Sequence, residues 1–243
     1  MTSFVEHLQR ACGQSPDYAV FLQGYEACLQ GVREHGTFLV HGLTVQAPPG
    51  VYSPHETSST RFLMDHFPAL GLDRPFGSRR LLEVGCGAGA ISMHAARAGW
   101  DVTATDIDPV AVEATVMNAA ANGLPVEALQ SDLFEQLEER GLFDAIIWNQ
   151  PFFHVERPIE ESERTLSTEG AELHERFLRE ARKHLAPGGY VVFAFANCSD
   201  VSRLHQPGWD LELRSFDYEA ASRYIRAHFI ARPTDLPAAA AAG

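Results

Sequence analysis

Apolar residues recur at helical spacing from Phe4 to about Arg33, first at Phe4, Leu8 and Ala11 and then at Tyr18, Phe21, Leu22, Tyr25 and Leu29. The break at Gly13 to Pro16 divides this pattern into two predicted amphipathic helices. Thr37 to Gln46 alternates as a strand or half-hairpin does, ending at Ala-Pro-Pro-Gly, and helical spacing resumes from Glu56 to Phe67. Beyond Arg79 the rhythm changes. Arg80 to Val84, Val102 to Asp106, Val126 to Gln130, Ala145 to Asn149 and Tyr190 to Phe195 read as strands. Helical stretches alternate with them: Ala88 to Ala98, a helix opening at Asp108-Pro109 and closing near Asn122-Gly123, and Glu172 to Leu185, stopped by Pro187-Gly188-Gly189. Ala145-Ile146-Ile147-Trp148 is apolar without interruption, the mark of a strand buried on both faces. Leu211 to Phe216 and Arg223 to Ala231 fit an antiparallel pair. Such alternation predicts an α/β doubly wound, mostly parallel sheet.

Composition narrows the class. A chain of 243 residues suffices for one α/β domain plus an appendage. The expected division is an N-terminal helical and hairpin extension or lid over 1–50, the main domain over 51–232 and an alanine-rich tail over 233–243. Net charge is −13, with 19 basic and 32 acidic residues and no Lys/Arg run, so nucleic acid is disfavoured as a partner. Cys12, Cys28, Cys86 and Cys198 form no Cys-x-x-Cys and no metal-like cluster with the eleven histidines, and read as reduced thiols of a cytoplasmic protein. The charged start MTSFVEHLQR is unlike a secretory signal, and no apolar run reaches the roughly 18 residues of a membrane helix. No metal and no membrane are expected, and the oligomeric state is left open.

Glu83-Val-Gly85-Cys-Gly87-Ala-Gly89 closes the first parallel strand, and its glycines permit a tight turn that a ligand can approach closely. Roughly twenty residues on, the second strand ends in Asp106, where an acceptor for two ribose hydroxyls is wanted. A dinucleotide fingerprint reserves this turn for a pyrophosphate. Here a carboxylate precedes the turn, which repels a pyrophosphate but suits a ligand carrying an ammonium and a sulfonium.

With these residues, over about Leu81 to Phe195, the chain resembles the class I S-adenosylmethionine-dependent methyltransferases. The resemblance implies a Rossmann-like seven-stranded sheet with an antiparallel last strand, S-adenosylmethionine as cofactor and S-adenosylhomocysteine as product. It places Glu83, Gly85 and Gly87 at the methionine end, Asp106 and its neighbour Ile107 at the ribose, and Asp132 with Leu133 at adenine. Asn149-Gln150-Pro151-Phe152-Phe153 is similar to the Asn-Pro-Pro-Tyr/Phe motif of the amino-nitrogen subgroup, with Gln150 in place of the first proline. That similarity implies Asn149, Phe152 and Phe153 as catalytic residues, Asn149 holding the acceptor amine and also meeting the cofactor. Val51 to Thr57 resembles the segment that closes over the cofactor there, which adds Tyr52 and Thr57, with Thr57 and Ser58 both suited to the helix start. An ordinary tight turn and an ordinary helix cap remain open readings of the glycines and of Thr57.

The function expected from this reading is methyl transfer to a nitrogen, with oxygen the lesser alternative, of a small molecule or protein side chain. Cyclisation of S-adenosylmethionine to azetidine-2-carboxylate is the alternative. A nucleic-acid amino methyltransferase and a non-catalytic cofactor-binding subunit stand behind it. The polar segment between Phe153 and Gly170, with Glu156, Glu160, Glu161 and Glu163, is expected to be a loop beside the site.

Overall fold

The computed structural model describes residues 32, 35–73, 75, 79–151, 153–155, 167–169, 172–197, 199, 204–219 and 224–235. The two helices expected between Phe4 and Arg33, Phe152, the acidic stretch after Val155 and the alanine-rich tail lie outside the described residues. A hairpin, β1 (Gly36–Val40) and β2 (Leu43–Ala47), comes first, followed by the short helix α1 (Ser59–Asp65). Then β3 (Arg80–Val84), α2 (Ala90–Ala98), β4 (Asp101–Asp106), α3 (Pro109–Ala121), β5 (Val126–Gln130) and β6 (Phe143–Trp148) alternate. After them come β7 (Phe153–Val155), β8 (Ser167–Glu169), α4 (Glu172–His184), β9 (Leu185–Ala196), β10 (Trp209–Glu219) and β11 (Tyr224–Pro233).

Seven strands form one sheet in the order β10-β11-β9-β6-β3-β4-β5. The pairs β3–β4, β3–β6, β4–β5 and β6–β9 are parallel, while β11 runs antiparallel to both β9 and β10. This is the expected Rossmann-like sheet, with its last strand reversed. Both faces are covered. Leu81, Ala145, Ile147 and Val192 pack with α1, α2 and the hairpin, and Leu82, Ile146, Val191 and Phe193 pack with Phe177 and Leu178 of α4. A strand sandwiched this way excludes water from both faces, which is why Ala145 to Trp148 carries no polar residue. The hairpin shares the first core through Val40, Leu43, Val45 and Ala47, and the Asn118 side chain of α3 bonds both the N–H and the C=O of Gln46.

Two boundaries differ from the pattern. Strand β9 begins at Leu185, through the Pro-Gly-Gly expected to break the chain, with a register irregularity between Phe143 and Ala145 of β6. Gly189 permits this passage, since an added Cβ would lie 3.0 Å from the Phe143 carbonyl oxygen. The two ends of the polar segment expected as a loop also pair, Phe153 with Ser167 through Val155 with Glu169.

Candidate active site at the carboxyl edge of the sheet

Parallel register brings the ends of β3, β4, β5 and β6 side by side, with Val84 opposite both Thr105 and Trp148 and with Asp106 opposite Gln130. Open α/β sheets bind ligands along this edge, because the loops leaving it diverge and expose backbone groups. Gly85, Gly87, Asp106, Ile107, Asp132 and Asn149 lie at or just beyond these strand ends, while Phe152 lies outside the described residues and of Phe153 only the backbone is described.

The turn after β3 has Gly85, Gly87 and Gly89 at φ of 69°, 54° and 78°, the left-handed region that a β-carbon penalises. Gly89 is the most constrained: its missing Cβ would sit 2.8 Å from the Thr115 side chain of α3. Long-range side chains satisfy the turn's backbone. The Thr115 hydroxyl lies 3.0 Å from the Gly87 carbonyl oxygen, and Asn118 donates to the Ala88 carbonyl at 2.9 Å. Asp106 accepts from the Gly87 N–H at 2.9 Å and, with its other oxygen, from the Asp108 N–H at 3.0 Å. Burial raises the Asp106 carboxyl above its ordinary value, and the two N–H groups oppose that shift. Asp108 itself caps α3 through the Val110 N–H, with Pro109 in the first turn.

Glu83 lies in β3, two residues before the first glycine of this turn. It is 1% exposed and accepts a hydrogen bond from the Ser92 hydroxyl. Desolvation pushes its carboxyl up to about 8, so the folded chain holds it largely protonated at neutral pH. Ile107 is 57% exposed beside Asp106, an apolar surface free to cover a planar ring, whereas the Leu133 side chain turns into the core at 7%. Asp132 is half-buried and receives Arg176 of α4 at 2.9 Å. Arg176 also pairs with Glu180 at 3.0 Å and Glu135 at 3.5 Å.

The segment Val51 to Thr57 crosses the glycine turn: a Cβ on Gly87 would lie 3.8 Å from Val51 and 4.0 Å from the Tyr52 carbonyl. The Tyr52 hydroxyl accepts from the Ser59 N–H at 3.4 Å. The cap of α1 is Ser58, whose hydroxyl accepts from the Arg61 N–H at 3.1 Å, while Thr57 is exposed and its carbonyl accepts from Arg226 at 2.8 Å. Sequence reasoning missed the next two residues. The Asn149 amide nitrogen donates to the Ser59 hydroxyl at 3.1 Å and lies 3.4 Å from that of Thr60. Its Oδ1 is buried and has no hydrogen-bond partner among the described residues. A buried carbonyl oxygen without a donor costs about 1–3 kcal/mol, which a ligand N–H would recover. Phe153 continues from this loop as the first residue of β7.

Ser59 and Thr60 left no local mark, standing 90 and 89 residues from Asn149. Thr115 and Asn118 had a faint one, as hydroxyl and amide side chains inside an alanine- and valine-rich helix. Among the described residues no group of His, Cys, Asp and Glu could hold a metal ion, and no helix is long and apolar enough to cross a membrane.

Comparison with known proteins finds methyltransferases. The family model "Methyltransferase small domain" matches residues 42–204. Ribosomal RNA small subunit methyltransferase C of Chromohalobacter salexigens is 38% identical over 156 residues, covering 64% of this chain and 42% of the relative. The protein of the same name from Escherichia coli K12 is 33% identical over 171 residues, covering 68% and 45%. The chain thus spans less than half the length of these relatives. The T. thermophilus 16S rRNA N2 methyltransferase RsmC, solved with AdoMet and guanosine, superposes with a TM-score of 0.62 at 22% identity, over 82% of this chain and 50% of that one. TrmN from Thermus thermophilus gives 0.52 at 26%, over 70% and 48%.

These relatives correct the expected acceptor and partner. Composition pointed to a small molecule or protein side chain and away from nucleic acid, whereas the matched relatives are ribosomal RNA methyltransferases. Their names displace the small-molecule, protein side-chain and cyclisation readings together. A net charge of −13 is a sum over the whole chain, while contact with a phosphate chain depends on the field at one face. Arg61 and Arg226 both lie near His55, in the segment over the site, and add to burial in lowering its pKa.

Proposed function

Because the chain belongs to the methyltransferase small domain family, and is thereby an S-adenosylmethionine-dependent methyltransferase of class I, we propose that it methylates the exocyclic N2 amino group of a guanine in small-subunit ribosomal RNA. The observation that carries the reading is the Oδ1 of Asn149, just after β6 and next to the glycine turn, which is buried and without a partner among the described residues. An exocyclic amine brings the two N–H donors that such a site lacks.

The residues present fit the cofactor. Gly85 and Gly87 leave space where side chains would stand, Asp106 retains lone pairs for ribose hydroxyls, and the exposed Ile107 can cover adenine. Asp132 would accept from the adenine amino group with the oxygen that Arg176 leaves free, and the Tyr52 segment would close the methionine end. When bound, S-adenosylmethionine supplies a methyl group on a sulfonium that is already a good leaving group. The chain's own contribution is position. Asn149 Oδ1 would accept one amine hydrogen, and its Nδ2 is tied to Ser59 and Thr60 so that the amide cannot rotate away. A planar amine held by its hydrogens presents its nitrogen lone pair along one direction, and alignment of this kind supplies most of the rate in a direct displacement. Phe152 and Phe153 would pack the guanine ring.

The test is methyl-tritiated S-adenosylmethionine with small-subunit rRNA transcribed in vitro, followed by digestion to nucleosides. Label in N2-methylguanosine is expected. Label confined to N6-methyladenosine, or absent from RNA, overturns the proposal.

A further inference from the structure

Gln150 stands where the motif resembled by this loop has its first proline. A proline would restrain the chain covalently, with φ near about −65° and no donor to satisfy. Gln150 is instead 6% exposed and engages both ends of its amide. Its Nε2 donates to the Ala194 carbonyl of β9 at 2.7 Å, and its Oε1 lies 3.1 Å from Nδ1 of His174 on α4. The roles follow from chemistry. A carbonyl can only accept, so the amide nitrogen faces Ala194, the amide oxygen faces His174, and the imidazole carries its proton on Nδ1. Burial lowers His174 to about 4, so the ring is neutral and has a single N–H to give. That ring is 6% exposed, near-parallel to Trp148 at 6.2 Å and edge-on to Phe193 at 5.0 Å and Phe195 at 5.9 Å.

We propose that His174 and Gln150 form a positioning pair that replaces the covalent restraint of proline with two hydrogen bonds and sets the direction of the Asn149 carbonyl. The inference rests on the reading of Asn149 as the residue that holds the acceptor amine. Neither residue touches the reacting atoms; they act through the backbone between Gln150 and Asn149. His174 stands 24 residues from Gln150 and Ala194 stands 44, so the loop is fixed from two elements at once.

The experiment measures kcat and KM on small-subunit rRNA, together with S-adenosylhomocysteine binding by calorimetry, for the full chain. His174→Phe keeps an aromatic ring among Trp148, Phe193 and Phe195 but loses the donor; kcat should fall about tenfold with product affinity unchanged. His174→Asn, whose amide nitrogen falls where Nδ1 lies, should keep kcat near the parent value. Adding Gln150→Pro to His174→Phe should restore kcat, since a ring-restrained loop has no need of the donor. Parent-like kcat in His174→Phe overturns the proposal. So does a loss that neither Gln150→Pro nor His174→Asn repairs, or one that lowers product affinity equally. Asn149→Ala in the same assay separates the two layers. Loss there with no effect of His174→Phe overturns this inference alone, while retained turnover overturns the reading beneath it and this inference with it.

Discussion

The turn after β3 and the loop after β6 face the same edge of one sheet, and they are built in opposite ways. In the turn, backbone does the work: three left-handed glycines shape it, and Asp106, Thr115 and Asn118 satisfy the groups that curvature leaves unpaired. In the loop, side chains do most of the work, with Ser59, Thr60, His174 and the Ala194 carbonyl holding Asn149 and Gln150 across long stretches of sequence, and with Asn149 Oδ1 and His174 Nε2 left as buried acceptors without a partner among the described residues. A cofactor that is always the same can be met by a finished backbone surface. An acceptor that must be aimed needs a group held in place yet unsatisfied until it arrives.

Asn149→Ala probes the loop and should have the largest effect, lowering kcat by about 10²–10³-fold while S-adenosylhomocysteine binding, read by calorimetry, stays unchanged. A matching loss of product affinity would merge the two regions into one. Gly89→Ala probes the turn: a left-handed alanine against Thr115 should cost about 2–3 kcal/mol, seen as a lower denaturation midpoint. An unshifted midpoint would mean that the turn yields more readily than its packing implies.

Asp106→Asn should weaken product binding about tenfold, because an amide sets an N–H against that of Gly87 or Asp108. Unchanged binding would remove Asp106 from the ribose. Glu83→Gln should show itself in pH dependence. Folding raises this carboxyl from 4.5 to about 8, so its contribution to stability is fully present below 4.5 and is lost as pH rises through about 8. The Tm of the Gln variant should therefore decline less over that window than the parent's, and parallel curves would show that Glu83 is ionised in the folded chain.

Much of the turn was legible in advance. Its strand, its glycines and the carboxylate ending β4 lie within about 25 residues of one another, and each owes its place to local geometry. The loop was legible only at Asn149. Ser59 and Thr60 stand in an unremarkable helix start, and Gln150 read as a departure from a motif until His174 and Ala194 came beside it. At the start of α1 two adjacent hydroxyls, Thr57 and Ser58, both suited the cap, and the fold uses Ser58.

Periodicity and backbone chemistry along the chain were enough for the alternating strands and helices from Arg80 to Trp148 and for the glycine turn, because those depend on neighbours in sequence, while the reversed final strand came with the family resemblance. Folding alone decided that the Asn149 amide nitrogen meets Ser59 and Thr60 while its oxygen has no partner among the described residues, that Glu83 is buried against Ser92, and that an imidazole meets the amide standing where the motif has a proline. Burial and donor–acceptor pairing are properties of what arrives from elsewhere in the chain, and no local pattern encodes them.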